Sequence, residues 1–119
     1  MQIRSLSLTA LLCGVALVTG CAKPTQKSLY YWGQYQPQVY EHLKGDGKGP
    51  EEQIAALESD LQKAQSKNAA LPPGYYAHMG MLYLKTGKND QVKQAFETEK
   101  TLYPESSTFM DFLLKKFKN

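Results

Sequence analysis

Apolar positions recur at spacings of three and four along most of this chain, and no stretch alternates in the manner of a strand. Tyr35, Val39 and Leu43 fall every fourth residue with Trp32 and Tyr40 beside them, which predicts a helix over 29–43. Pro37 lies inside that span and marks either a first turn or a kink. Ile54, Leu57, Leu61 and Ala64 predict a second helix over about 51–67. Pro50 suits its first position, and Glu51 and Glu52 complement the positive end of its dipole. Tyr76, Met79, Gly80 and Tyr83 share one face of a third helix over 75–86. Gly87 stops it, and Asn89 or Asp90 is placed to cap a fourth, whose inner side is Val92, Ala95, Phe96 and Leu102. Pro104 ends that helix. Ser106 or Ser107 stands ready to cap a last one, striped by Phe109, Phe112, Leu113 and Phe117 and closed by Lys115, Lys116 and Lys118 near its negative end. Clusters at 45–50 and 68–74, rich in Gly and Pro, read as loops. The expectation is an all-α domain of about five helices.

Within it, Tyr76, Met79-Gly80, Tyr83, Gly87, Val92, Phe96 and Pro104 fall in the register of one tetratricopeptide repeat, a helix–turn–helix unit of roughly 34 residues. The resemblance implies that Gly80 lets two helices approach, that Phe96 fills the groove between them and that Pro104 terminates the second. Glu99 and Val92 depart from the pattern, which prefers smaller residues there. One repeat cannot bury its faces alone. The preceding helices are therefore expected to form a degenerate first repeat with a glycine-rich insertion, and the C-terminal helix to cap the exposed end. An irregular bundle, with Gly80 and Tyr83 as ordinary packing residues, is the alternative.

The first twenty-one residues follow another logic. Arg4 is followed by an uncharged apolar run, Leu6 to Val18, and then by Val18-Thr19-Gly20-Cys21. The run is shorter than the roughly 20 apolar residues a bilayer span needs, and its layout is that of a secretory signal. Its ending resembles the lipobox of bacterial lipoproteins. By that resemblance, residues 1–20 are a signal peptide cut between Gly20 and Cys21, Cys21 carries acyl chains, and 21–28 form a tether. A signal peptide with a coincidental cysteine is the plainer alternative. Ala22 and Lys23 follow the cysteine, which in such lipoproteins favours the outer membrane, so the expected location is lipid-anchored there and facing the periplasm.

Without residues 1–20, which hold one basic residue and no acid, 99 residues remain, with thirteen Lys/Arg against eleven Asp/Glu. A balance of +2 is too small for a nucleic-acid binder that relies on a dense basic stripe. Cys13 leaves with the signal and Cys21 is the acylation position, so no pair is left for a disulfide. The mature part, 29–119, reads as one domain held by packing.

A resemblance covering nearly all of that domain is carried by Leu29-Tyr30-Tyr31-Trp32-Gly33, Tyr35, Val39-Tyr40, Pro72-Pro73-Gly74-Tyr75-Tyr76-Ala77-His78-Met79-Gly80, Phe96, Pro104-Glu105-Ser106 and Phe109-Met110. The chain is similar to a family of small Gram-negative lipoproteins catalogued as a domain of unknown function. Members are typically encoded beside a lipoprotein resembling the curli secretion channel. The resemblance implies a part in an outer-membrane assembly or export system, with other envelope lipoproteins as partners, and no established activity.

Residues suited to chemistry are sparse. His42 and His78 are the only histidines and fall on different helices, so metal binding would need added carboxylates. No nucleophile elbow, zinc-protease motif or phosphate-cradling loop is present. Neither catalysis nor a cofactor is expected. Aromatics are the excess: eight Tyr, four Phe and one Trp, none of them in the signal segment. Tyr and Trp pair large apolar area with a polar tip and are enriched at interfaces. Tyr31, Trp32, Tyr35, Tyr40 and Tyr75 are the candidate partner-binding set. Substitution for aliphatics in a small core, or contact with the bilayer interface just after the anchor, are competing uses. The expected function is a non-catalytic adaptor or assembly factor. A regulator of cell-wall synthesis, or a small ligand-binding protein or hydrolase of the periplasm, stays open.

Overall fold

The computed structural model describes residues 27–118. Five α-helices follow one another: α1 (Tyr35–Lys44), α2 (Pro50–Ser66), α3 (Tyr75–Lys85), α4 (Asn89–Leu102) and α5 (Ser107–Lys118). A 3-10 turn, Pro104–Ser106, joins the last two, and no strand occurs among the described residues. The fold is all-α. The expected signal segment, the cleavage position at Gly20 and Cys21, and tether residues 22–26 lie outside the described residues.

Sequential helices are spatial neighbours, and the α3–α4 hairpin is the most extensive pairing. Its closeness depends on Gly80. A methyl group there would sit 2.7 Å from Phe96 Cδ1, and the Phe96 ring is itself enclosed. Leu57, Tyr75, Met79, Leu82, Val92 and Met110 complete a core drawn from α2, α3, α4 and α5. Enclosing a side chain of leucine size contributes roughly 1.5–3 kcal/mol over leaving it exposed. Two tyrosine hydroxyls bolt α3 to α2: Tyr75 donates to the Leu57 carbonyl at 2.6 Å, and Tyr83 to Glu58 Oε1 at 2.9 Å.

Helix ends follow local chemistry. After α3, Lys88 N–H donates to the Tyr83 carbonyl and Gly87 N–H to that of Leu84. This paired closure uses a left-handed residue just past the helix. The same pattern ends α2, where Ala69 and Asn68 donate to Ala64 and Gln65, with Asn68 as the left-handed residue.

Four expectations are corrected. The first helix starts at Tyr35, not Leu29. A helix running from 29 would drive the Pro37 ring against the Gly33 carbonyl; starting at Tyr35 places Pro37 in the first turn, where no N–H is needed. Within α1 the buried residue is Gln38, whereas Leu43 is exposed. The caps differ too: Lys88 holds the N-cap position of α4, and the Ser106 and Ser107 hydroxyls donate backward to the Tyr103 and Pro104 carbonyls. Finally, α5 is rotated. It buries Met110 and Leu114, and Phe109 and Phe112 face outward.

Candidate functional site: an aromatic seam beside an apolar groove

Residues 27–34 run as an irregular strap over the α2–α3 connection, fixed at two points. Tyr31 N–H donates to the Ala70 carbonyl at 2.8 Å. Gln34 N–H donates to the buried carboxylate of Asp60 on α2, which Lys63 also approaches at 3.5 Å. A carboxylate at a helix N-terminus meets the positive end of the dipole, so Asp60 anchors the start of α1 from a neighbouring helix. Gly33 makes this possible. Its φ of +43° is strained for other residues, and a Cβ there would collide with the Asp60 carboxylate.

The strap lays its rings in a file. Tyr30 meets Tyr103 edge-on at 6.4 Å and Trp32 at 6.3 Å; Trp32 stacks on Tyr35 at 6.2 Å. Tyr35 continues inward to Tyr75 at 5.3 Å and His78 at 6.0 Å, and His78 meets His42 at 5.1 Å. Aromatic pairs at such separations add stabilisation beyond area burial. The Tyr103 hydroxyl donates to the Leu71 carbonyl, tying the file to the loop beneath. Burial, and after it the Glu99 carboxylate, raise the Tyr35 phenol above its ordinary value.

The five candidate residues separate on exposure. Trp32 is 41% and Tyr40 62% exposed. Tyr31 is half-buried with Lys67 Nζ 5.0 Å from its ring centre, and Tyr35 is half-buried between Trp32 and Tyr75. Tyr75 is withdrawn from the set: it is fully enclosed, its hydroxyl is spent on Leu57, and burial holds its phenol far above the usual range. Its place beside Tyr76 at the start of α3 gave it the look of a surface aromatic, but helix rotation turns it into the core.

Beside the seam lies an apolar groove of about 410 Å³ lined by Tyr30, Leu61, Leu71, Tyr76, Leu102 and Tyr103. A shallower depression of about 150 Å³ shares Leu61 and Tyr76 and continues along Met79, Tyr83 and Ala95. Sequence reasoning missed this groove. Tyr30 and Tyr103 are distant along the chain, and no local spacing announces that the strap brings them together. Leu102 was expected inside and instead forms the exposed lip.

The two histidines do meet across α1 and α3. Burial, then His42 and Lys85, push His78 down to about 4, and burial with Lys85 lowers His42, so both imidazoles are neutral at pH 7. No group of three or more His, Cys, Asp or Glu positioned for a metal ion occurs among the described residues. No helix among them is long and apolar enough to cross a membrane. The site therefore offers rings and apolar area with few polar groups, a surface for contact.

No curated protein and no solved structure matches the chain. A family model described as Domain of unknown function (DUF4810) matches residues 29–113, and the chain belongs to that family.

Proposed function

We propose that this chain is a non-catalytic lipoprotein of the outer membrane, held by acyl chains on Cys21 and facing the periplasm. In this reading its helices work as tetratricopeptide-like hairpins, and the domain serves as an adaptor or assembly factor for an envelope complex built on a lipoprotein like the curli secretion channel. The supporting observation is the segregation of exposed apolar side chains. Leu29, Trp32, Tyr40 and Leu43 all fall in one short segment, the strap and α1, beside a groove large enough to receive a partner's side chains. Anchoring gives this surface its effect. A domain confined to the layer where its partners are also anchored meets them at raised effective concentration, so a modest interface suffices.

The test is recovery of cross-linked partners from envelopes bearing the acylated protein. Trp32→Ala with Tyr40→Ala is expected to weaken capture roughly thirtyfold or more, as loss of a central aromatic anchor does. Cys21→Ser is expected to lose the same partners through dilution. Recovery of an unchanged partner set by both variants overturns the proposal, and a cell-wall synthase in place of a channel lipoprotein reassigns the domain to regulation of wall synthesis.

A further inference from the structure

Away from the seam, α5 carries a second surface of different character. Its inner side, Met110 and Leu114, packs on the hairpin. Its outer side presents Phe109 and Phe112, 58% and 49% exposed, stacked on each other at 6.4 Å and nearly parallel. Lys116 Nζ lies 4.9 Å over the Phe112 ring. Asp111 is the only acid on this helix, and Lys100 of α4 neutralises it at 2.5 Å. Among the described residues Lys115, Lys116 and Lys118 have no acidic partner within ion-pair distance. Lysines at a helix C-terminus complement the dipole, which accounts for their charge. It does not account for two phenylalanines turned to solvent among them.

We infer that the outer face of α5 seats on an anionic bilayer surface. Aromatic rings beside uncompensated ammonium groups match an interface that is apolar just beneath a layer of phosphates. An acidic protein would satisfy the lysines but leaves the stacked ring pair unexplained, and a second copy would bring like charges together. The course of the chain agrees. Tyr30 packs on Tyr103, one residue before the turn into α5, so the described chain begins at the corner from which α5 departs. An anchor at Cys21 is six residues before Lys27, a reach of at most about 20 Å. That proximity rests on the acylation proposed above; the face on α5 does not.

The experiment uses the mature chain from residue 21 with Cys21→Ser, so that no acyl chain contributes, in co-sedimentation with vesicles. Binding is expected to vesicles of phosphatidylethanolamine with phosphatidylglycerol, to fall with added salt, and to be absent with phosphatidylcholine alone. Lys115→Gln, Lys116→Gln and Lys118→Gln together should weaken it on the order of a hundredfold. Phe109→Ser with Phe112→Ser should abolish it. Unchanged urea midpoints for both variants show that the fold is intact. Equal binding to neutral vesicles, no binding, or undiminished binding by the variants overturns the inference. So does concentration-dependent dimerisation abolished by the phenylalanine changes, which would give the face to a second copy. The mass of native Cys21 tests the anchor separately.

Discussion

Gly80 shows how a single hydrogen atom in place of a methyl sets the distance between two helices. Alanine is preferred over glycine inside a helix by about 1 kcal/mol, which taken alone would make Gly80→Ala stabilising. The Phe96 ring occupies the space, is buried on all sides and has no vacant volume behind it. Overpacking of this kind costs about 1–3 kcal/mol, so steric strain outweighs propensity. Gly80→Ala should therefore lower the urea midpoint, and pairing it with Phe96→Leu should recover part of the loss. A midpoint that rises in the single variant would show that α3 and α4 are farther apart than described. This residue was legible from the sequence, because an apolar–Gly pair followed by a downstream Phe has a local signature. Glu99 was not. It was noted only as a departure from a small residue, yet it is enclosed and accepts the Gly74 N–H at 2.6 Å. A buried carboxylate holding the entrance of α3 has no periodicity to announce it.

At the scale of elements, helices were legible where the apolar stripe coincides with the core, as in α2 and α4. They were misread where other contacts decide the rotation. In α1 the stripe of Tyr35, Val39 and Leu43 suggested one inward face, but Asp60 fixes the helix by its first turn and Gln38 turns inward. In α5, four apolar residues suggested one inward stripe, and two of them face out. The anchoring of α1 yields a prediction. Asp60→Ala removes the acceptor for Gln34 N–H, and leaving such a donor unpaired costs about 1–3 kcal/mol. Because Asp60 lies at the edge of the core, the effect should be regional. Amide exchange within Tyr35–Lys44 should quicken by about tenfold or more, while that of α3 and α4 keeps its rate. Uniform acceleration across all helices would show instead that α1 and the hairpin unfold as one unit.

For the whole molecule, the decisive contact is the one that joins α1 to the hairpin, and its least substitutable part is the histidine pair. The sequence placed His42 and His78 on separate helices; nothing in their spacing revealed that tertiary packing sets their rings 5.1 Å apart. Three influences disfavour a proton on His78: enclosure, His42 opposite it, and the Lys85 ammonium on its own helix. An imidazole lowered from 6.5 to about 4 binds fewer protons in the folded chain than in the unfolded one between those values. Stability rises with pH wherever the unfolded state binds more protons. The contribution is thus fully present above pH 6.5 and is lost as the pH falls toward about 4. Carboxylates add their own acid limb around and below about pH 4, so the interval above it isolates the imidazoles. The urea midpoint of the unaltered chain should fall steadily across that interval. In His78→Gln, which keeps a polar side chain of similar length without a titrating ring, the midpoint should be lower at pH 7 and nearly flat with pH. His42→Gln, by removing one of the charges facing His78, should flatten the limb only in part. A profile for the unaltered chain that stays level from pH 6.5 to 4 would mean that water reaches the pair, and that α1 does not lie closed against α3.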